Sequence, residues 1–229
     1  MTYLETYTSS LNNSSLSDSI TTTAKSVVSN IESRFDFTEP LTGLLLGNVQ
    51  SGKTGQMLGV ISHLADKGYR IFLLLTTDNI DLQRQTYNRV KSALTSFTVL
   101  SESDVVLFNP HNLIKPIVIV LKKNASVLRK WGNLLMTYQL NTGLCLTIFD
   151  DEADAASLNT LVNRNRTSTI NKHLQKIKDT ASSSLYLEVT ATPQSIILQT
   201  VMSGWKPAFI NYFKPGKDYL GGNFFYSNP

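Results

Sequence analysis

Two short stretches carry residue types suited to phosphate chemistry. Residues 47–54 read GNVQSGKT, which satisfies G-x-x-x-x-G-K-[ST] with Gly47, Gly52, Lys53 and Thr54. Gly47 and Gly52 put no Cβ in the way of a tight backbone turn. The amides from about Val49 to Thr54 can then point inward at phosphate oxygens, and the N-terminus of the following helix adds partial positive charge. Lys53 would reach the β- and γ-phosphates, and the Thr54 hydroxyl would ligate Mg²⁺. The whole loop, Gly47, Asn48, Val49, Gln50, Ser51, Gly52, Lys53 and Thr54, is therefore a candidate cradle for ATP. An apolar strand candidate precedes it and a helical pattern follows, as the mechanism requires.

A phosphate loop needs a carboxylate for the metal and a base for the attacking water. Residues 144–154 read LCLTIFDDEAD, an apolar run ending in four acids within five positions. Asp151 is assigned to Mg²⁺, directly or through water, and Glu152 to the general base or water-positioner. Asp154 would anchor neighbouring segments, and Asp150 takes the metal role if the strand register shifts by one. On its own such a cluster is equally at home in a solvated loop or helix N-terminus. A third element, EVTATPQ at 188–194, ends another strand with the hydroxyls of Thr190 and Thr192 and a strand-breaking Pro193.

The ordered trio GNVQSGKT, DDEAD and TATP resembles the first motor domain of superfamily-2 helicases and translocases. The stretch LLLTTDNIDLQRQT at 73–86 is similar to the segment of those motors that contacts the nucleic-acid backbone, which implies contacts from Thr76, Thr77, Arg84, Gln85 and Thr86. The resemblance assigns Thr190, Thr192 and Asp154 to coupling between segments. A closer resemblance is to the Z-one domain family of bacterial proteins, carried by 47–75, by DDEADAASLNT, by TSTINKHLQKI and by YLEVTATPQ. It runs from roughly residue 42 to the end of the chain. It implies an ATP-dependent, DNA-acting protein linked to restriction or phage defence, with a second motor domain and a nuclease domain or partner subunits. Full members are much longer, and nothing after Thr192 resembles a second motor half. The chain is thus expected to be one lobe of a longer protein, weak in hydrolysis and unable to unwind by itself. A small kinase or GTPase is disfavoured, since LKKN at 121–124 is no guanine reader. A non-catalytic, nucleotide-dependent interaction module remains the alternative.

These segments need a scaffold that brings strand ends together. After a polar N-terminal stretch, 1–14, expected to be loosely ordered, Ile20, Ala24, Val27, Val28, Ile31 and Phe35 recur with helical period. From LTGLLLG onward the pattern reads β-α-β-α-β-β-α-β-α-β, with VVLF at 105–108 as one strand and an irregular tail or short hairpin after Trp205. Within the second helix of this series Ile80, Leu82, Val90 and Leu94 are the apolar positions. Several strands are continuous apolar runs, the mark of a parallel sheet covered on both faces. The expected fold is a three-layer α/β sandwich with a mostly parallel sheet, a RecA-like P-loop domain over 38–229 preceded by a polar segment and helix over 1–37. Ligands in such sheets bind beyond the carboxyl ends of the strands.

Composition sets the outer bounds. The 229 residues are 41% hydrophobic and 17% charged, a globular balance, and the net charge of +4 permits a polyanionic partner without demanding one. The single Cys145 rules out an internal disulfide and a cysteine-based zinc cluster, and His63, His111 and His173 lack ligand spacing. No apolar run approaches the roughly 20 residues of a membrane span, so a cytoplasmic protein is expected. The basic run LKKNASVLRKW at 121–131 reads as a solvated helix face, with phosphate-backbone contact as the alternative, and its Trp131 as core. Arg164 and Arg166, just after the acids, read as loop residues able to meet DNA or another lobe.

Overall fold

The computed structural model describes residues 1–47, 52–111, 113–138, 140, 144–153, 169–192 and 206–213. Seven strands make one sheet: β1 (Leu41–Gly47), β2 (Ile71–Thr76), β3 (Thr98–Ser101), β4 (Ile117–Lys122), β5 (Cys145–Asp151), β6 (Ser183–Thr190) and β7 (Phe209–Phe213). Their order is β3-β4-β2-β5-β6-β1-β7, and every neighbouring pair runs parallel. All described strand ends of one polarity therefore share one rim. The strand feeding the glycine loop, β1, and the strand ending in acids, β5, are separated by β6 alone. This is the RecA-like arrangement of an α/β sandwich.

The central strands are buried on both faces because two helical layers cover them. One layer holds α1 (Tyr3–Ser9), α2 (Ser14–Glu32), α3 (Lys53–Asp66) and α4 (Ile80–Ala93), packed on Leu45, Phe72, Leu74, Val120, Phe149 and Leu187. The other holds α5 (Ala125–Thr137) and α6 (Thr169–Lys178), packed on Ile71, Leu73, Ile119, Leu146 and Ile148. Side chains alternate across each strand, so odd and even positions of β5 belong to different layers. Trp131 is fully buried in the second layer and donates its indole N–H to the Glu102 carbonyl at 3.1 Å.

Local signals account for the helix starts. Asn13, Asn79 and Asn124 open α2, α4 and α5, each side chain accepting first-turn amides. Gly68, at φ 95°, follows the end of α3.

The polar N-terminus is helical, contrary to the expectation of loose order. Thr2 and Glu5 form a reciprocal capping box (Glu5 N to Thr2 Oγ1 3.1 Å, Thr2 N to Glu5 Oε2 2.8 Å). The Asp66 carboxylate, at the far end of α3, accepts the amides of Tyr3 at 2.6 Å and Leu4 at 3.2 Å. Tyr7 donates its hydroxyl to the Gly55 carbonyl at 3.1 Å. Composition alone would leave so short a helix unformed; docking on α3 holds it. Gly59 lets α2 and α3 approach closely, since a Cβ there would lie 2.3 Å from Ile20 Cγ2.

Three further expectations are corrected. Val105–Leu107 is a single tight helical turn, and the edge strand is β3 just before it. Val106 and Leu107 are exposed, and Val105 packs partly against the core. Among the described residues the tail forms no hairpin: β7 extends the sheet parallel to β1, with the Phe209 ring filling the space beside Gly43. In α4, Val90 and Leu94 are buried as expected, but Ile80 and Leu82 are exposed. Gln83 takes the inward position, donating its amide to the Val120 carbonyl at 3.1 Å.

Candidate functional site

The site forms where β1, β6 and β5 end side by side. Leu46 pairs with Thr190, and Val189 with Asp151. Gly47 ends β1 at this rim, and Lys53 opens α3. Asn48, Val49, Gln50 and Ser51 of the predicted cradle lie outside the described residues, as do Asp154, Arg164 and Arg166.

Gly52 stands at the entrance of α3 with φ 76°, a left-handed conformation suited to glycine. Among the described residues nothing lies within 4 Å of where a Cβ would be. Glycine has no side chain with which to cap the helix, so the first-turn amides of α3 have no cap from Gly52. Such a helix start offers uncapped amides and positive dipole to an anion. Lys53 and Thr54 are half-buried in the same first turn.

Across the rim, Asp151 lies on the face of β5 shared with Phe149, towards the layer that contains α3. Burial pushes its carboxyl up to about 6, the neighbouring Glu152 carboxylate adds to the rise, and the ammoniums of Lys53 and Lys123 pull against it. A poorly solvated carboxylate beside a second one is a group short of positive charge. Glu152 itself is exposed and has a left-handed backbone, φ 53°, which is rare outside glycine and asparagine. Its amide donates to Asp151 Oδ1 at 3.1 Å.

Asp150 is on the opposite face, fully buried, and committed to a different task. Lys123 Nζ sits 2.9 Å from its Oδ1, and Tyr186 donates its hydroxyl to Oδ2. That pairing leaves Asp151 as the carboxylate on the α3 side. Beside this pair Glu188 lies directly opposite Asp150 in the β5–β6 register. Burial, and then the Asp150 charge, push the Glu188 carboxyl up to about 8 against the pull of Lys178 and Lys123. Its Oε2 is buried, with no hydrogen-bond partner among the described residues. Lys178 rests its ammonium 3.4 Å from the Tyr186 ring centroid.

The remaining predicted residues divide by exposure. Thr190 is buried and its hydroxyl accepts the amide of exposed Thr192 at 2.9 Å, closing the turn after β6. Thr76 is buried, its hydroxyl 3.4 Å from the Leu121 carbonyl, which points it into the sheet. Thr77 and Thr86 are half-buried, and Arg84 and Gln85 are exposed, with Arg84 3.0 Å from Asp81. The basic run at 121–131 splits likewise. Arg129 and Lys130 are exposed, Lys122 pairs with Glu102 at 3.5 Å, and Lys123 is completely buried. The reading of a solvated face missed Lys123; its place one residue past an apolar strand was the only available signal. Cys145 is half-buried, its thiol pushed up to about 11 by burial.

The donor set suits a phosphate-bound Mg²⁺. Among the described residues no three acidic, histidine or cysteine side chains converge as a metal cage. Mg²⁺ in nucleotide sites uses one or two protein ligands, with substrate phosphates and water supplying the rest, and Thr54 with Asp151 matches that demand.

No protein-family model matches the chain, and no curated protein matches it. Among solved structures, the helicase domain of Hef from Pyrococcus furiosus aligns with a TM-score of 0.48 at 14% identity, over 81% of this chain and 37% of that one. The DUF1998 helicase MrfA, bound to DNA, aligns with a TM-score of 0.47 at 13% identity, over 89% of this chain and 30% of that one. The chain thus spans about a third of the length of either structure. Likeness of this degree says nothing about what the chain binds. Among the described residues no helix is long and apolar enough to cross a membrane.

Proposed function

We propose that this chain is the ATP·Mg²⁺-binding N-terminal motor lobe of a superfamily-2-like, DNA-dependent ATPase, within a Z-one-type protein of bacterial restriction or phage defence. The observation that carries this reading is the shared rim of a parallel sheet: β1 ends at Gly47, α3 opens at Lys53, and β5 ends at Asp151 with β6 alone between the two strands. A lysine on a glycine-initiated helix and a carboxylate short of positive charge are the two halves of a nucleotide–metal site.

In this reading the first-turn amides of α3 and the Lys53 ammonium bind the phosphates, and Thr54 and Asp151 hold Mg²⁺. The metal, when bound, neutralises charge on the phosphate oxygens. Glu152 stands exposed at the rim, where it orients the attacking water and accepts its proton. Asp154, Thr190 and Thr192 couple the site to neighbouring segments, and Thr77, Arg84, Gln85 and Thr86 face the DNA backbone. Thr76, being buried, supports that surface from below. An arginine supplied by a second motor domain is worth about 10³–10⁵ in turnover, so a lobe acting without one turns ATP over slowly or not at all.

Titration of labelled ATP with Mg²⁺ against the native chain and Lys53→Ala tests the reading. The expected outcome is a loss of affinity of tenfold or more in Lys53→Ala; equal affinity sinks the assignment. Residual turnover that disappears in Glu152→Gln separates the motor from a non-catalytic nucleotide-dependent module, in which that substitution changes nothing.

A further inference from the structure

Lys123 lies at the end of β4, with no solvent exposure, and none of the roles assigned above uses it. Its backbone amide continues the sheet, donating to the Thr76 carbonyl at 2.9 Å. Its ammonium has three acceptors: Asp150 Oδ1 at 2.9 Å, the Asp151 carbonyl at 2.9 Å and the Glu152 carbonyl at 2.8 Å. An ammonium has three protons, so all three are engaged. If charge pairing were its whole purpose, Asp150 and Tyr186 would suffice. A buried ion pair is seldom worth its desolvation when apolar residues of the same volume are available. The two carbonyls show a further role.

Those carbonyls flank a single pair of dihedrals, φ and ψ of Glu152. One ammonium can grip both only when that residue turns the chain, and Glu152 has φ 53°. A left-handed conformation costs a non-glycine residue about 1–2 kcal/mol, so something must hold it there. We propose that Lys123 is a positioning residue: by clamping the carbonyls of Asp151 and Glu152 it fixes the turn that aims both side chains at the nucleotide rim. The inference rests on the nucleotide-site reading above and adds to it a residue on a different strand. Ala153, buried between Leu44 and Leu46, secures the following position of the same turn.

The test measures ATP affinity of the whole 229-residue chain with Mg²⁺ and with EDTA. The ratio of the two affinities is the metal-dependent gain. Lys123→Met paired with Asp150→Asn removes the clamp without leaving a lone buried charge. Loss of a group that orients metal ligands typically costs 10–100-fold in metal affinity. The expected result is metal-free affinity within about twofold of the native chain and a gain reduced about tenfold or more. A folded double variant with an undiminished gain overturns the proposal. Asp150→Asn alone keeps Lys123 on both carbonyls but leaves its buried charge unpaired, which weakens the fold; measured at low temperature, it covers the case where the double variant does not fold. Its gain should match the native chain within about twofold, and a tenfold loss overturns the proposal by assigning the effect to the carboxylate. Lys53→Ala and Asp151→Asn identify where a failure lies. If neither changes ATP affinity or its metal dependence, the nucleotide reading falls and the positioning role with it. If both do while the double variant behaves as native, only the positioning role falls.

Discussion

Replacing Gly59 by alanine tests how α2 is seated on the helix that carries Lys53. A Cβ at position 59 would lie 2.3 Å from Ile20 Cγ2, well inside van der Waals contact, with the Ile20 carbonyl at 3.6 Å and its Cβ at 3.7 Å. Ile20 has no exposed surface, and its own backbone is close behind, so it cannot swing aside. The two helices must separate or Ile20 must leave its rotamer. Overpacking of this kind costs about 1–3 kcal/mol, and the contact distance argues for the upper end. The better helix propensity of alanine returns about 1 kcal/mol. The net expectation is a loss of about 2 kcal/mol, or about 4–8 °C in Tm for a chain of this length. Urea and thermal unfolding followed by circular dichroism measure it. The same substitution made in an Ile20→Ala background should be neutral or stabilising, because the methyl then enters space that Ile20 vacated. Stability of Gly59→Ala equal to the native chain, or an unchanged cost in the Ile20→Ala background, would refute the seating described here.

Further outcomes follow from individual contacts. Glu188 has a folded pKa of about 8, above its unfolded value. Its contribution to stability is therefore fully present below about pH 4 and is lost as the pH rises towards 8. Glu188→Gln should flatten that decline, so that urea midpoints of variant and native chain diverge in the variant's favour between pH 5 and 8, on the order of 1–3 kcal/mol. Asp66→Ala withdraws the acceptor for the Tyr3 and Leu4 amides. It should cost about 1–2 kcal/mol and speed amide exchange over residues 3–9 while leaving β2 and β5 protected. On the proposed DNA face, Arg84→Ala should lower the salt dependence of single-stranded DNA binding by about one phosphate contact, read from affinities across a salt series.

The parallel sheet was legible because β2, β4 and β5 are uninterrupted apolar runs, and such runs need cover on both sides. The placement of Gly47 at a strand end, Lys53 at a helix start and the acids at the end of β5 was legible from the order of apolar runs and breaks around them. Lys123 was not: its place one residue past an apolar strand hints at burial, but a lysine beside a lysine gives no sign of where its three protons will go. Its acceptors arrive from β5, 27 to 29 residues later. The α4 assignment erred in the same way. Ile80 and Leu82 look like core, but both are exposed, and it is Gln83 that turns inward to reach a strand carbonyl. For α1, serine and threonine content pointed to disorder, while Asp66 and Gly55 supply its anchors from more than forty residues away.

Those two anchors give the N-terminus a practical use. Tyr3 is tied to the last residue of α3 and Tyr7 to its first turn, so α1 lies against α3 in the opposite sense, like a splint. The 14 residues of α3 separate the ends by about 20 Å. A dye or tether coupled next to Met1 would therefore report on tilting of that helix from the side of the sheet remote from the rim, without crowding the ligand whose arrival it monitors.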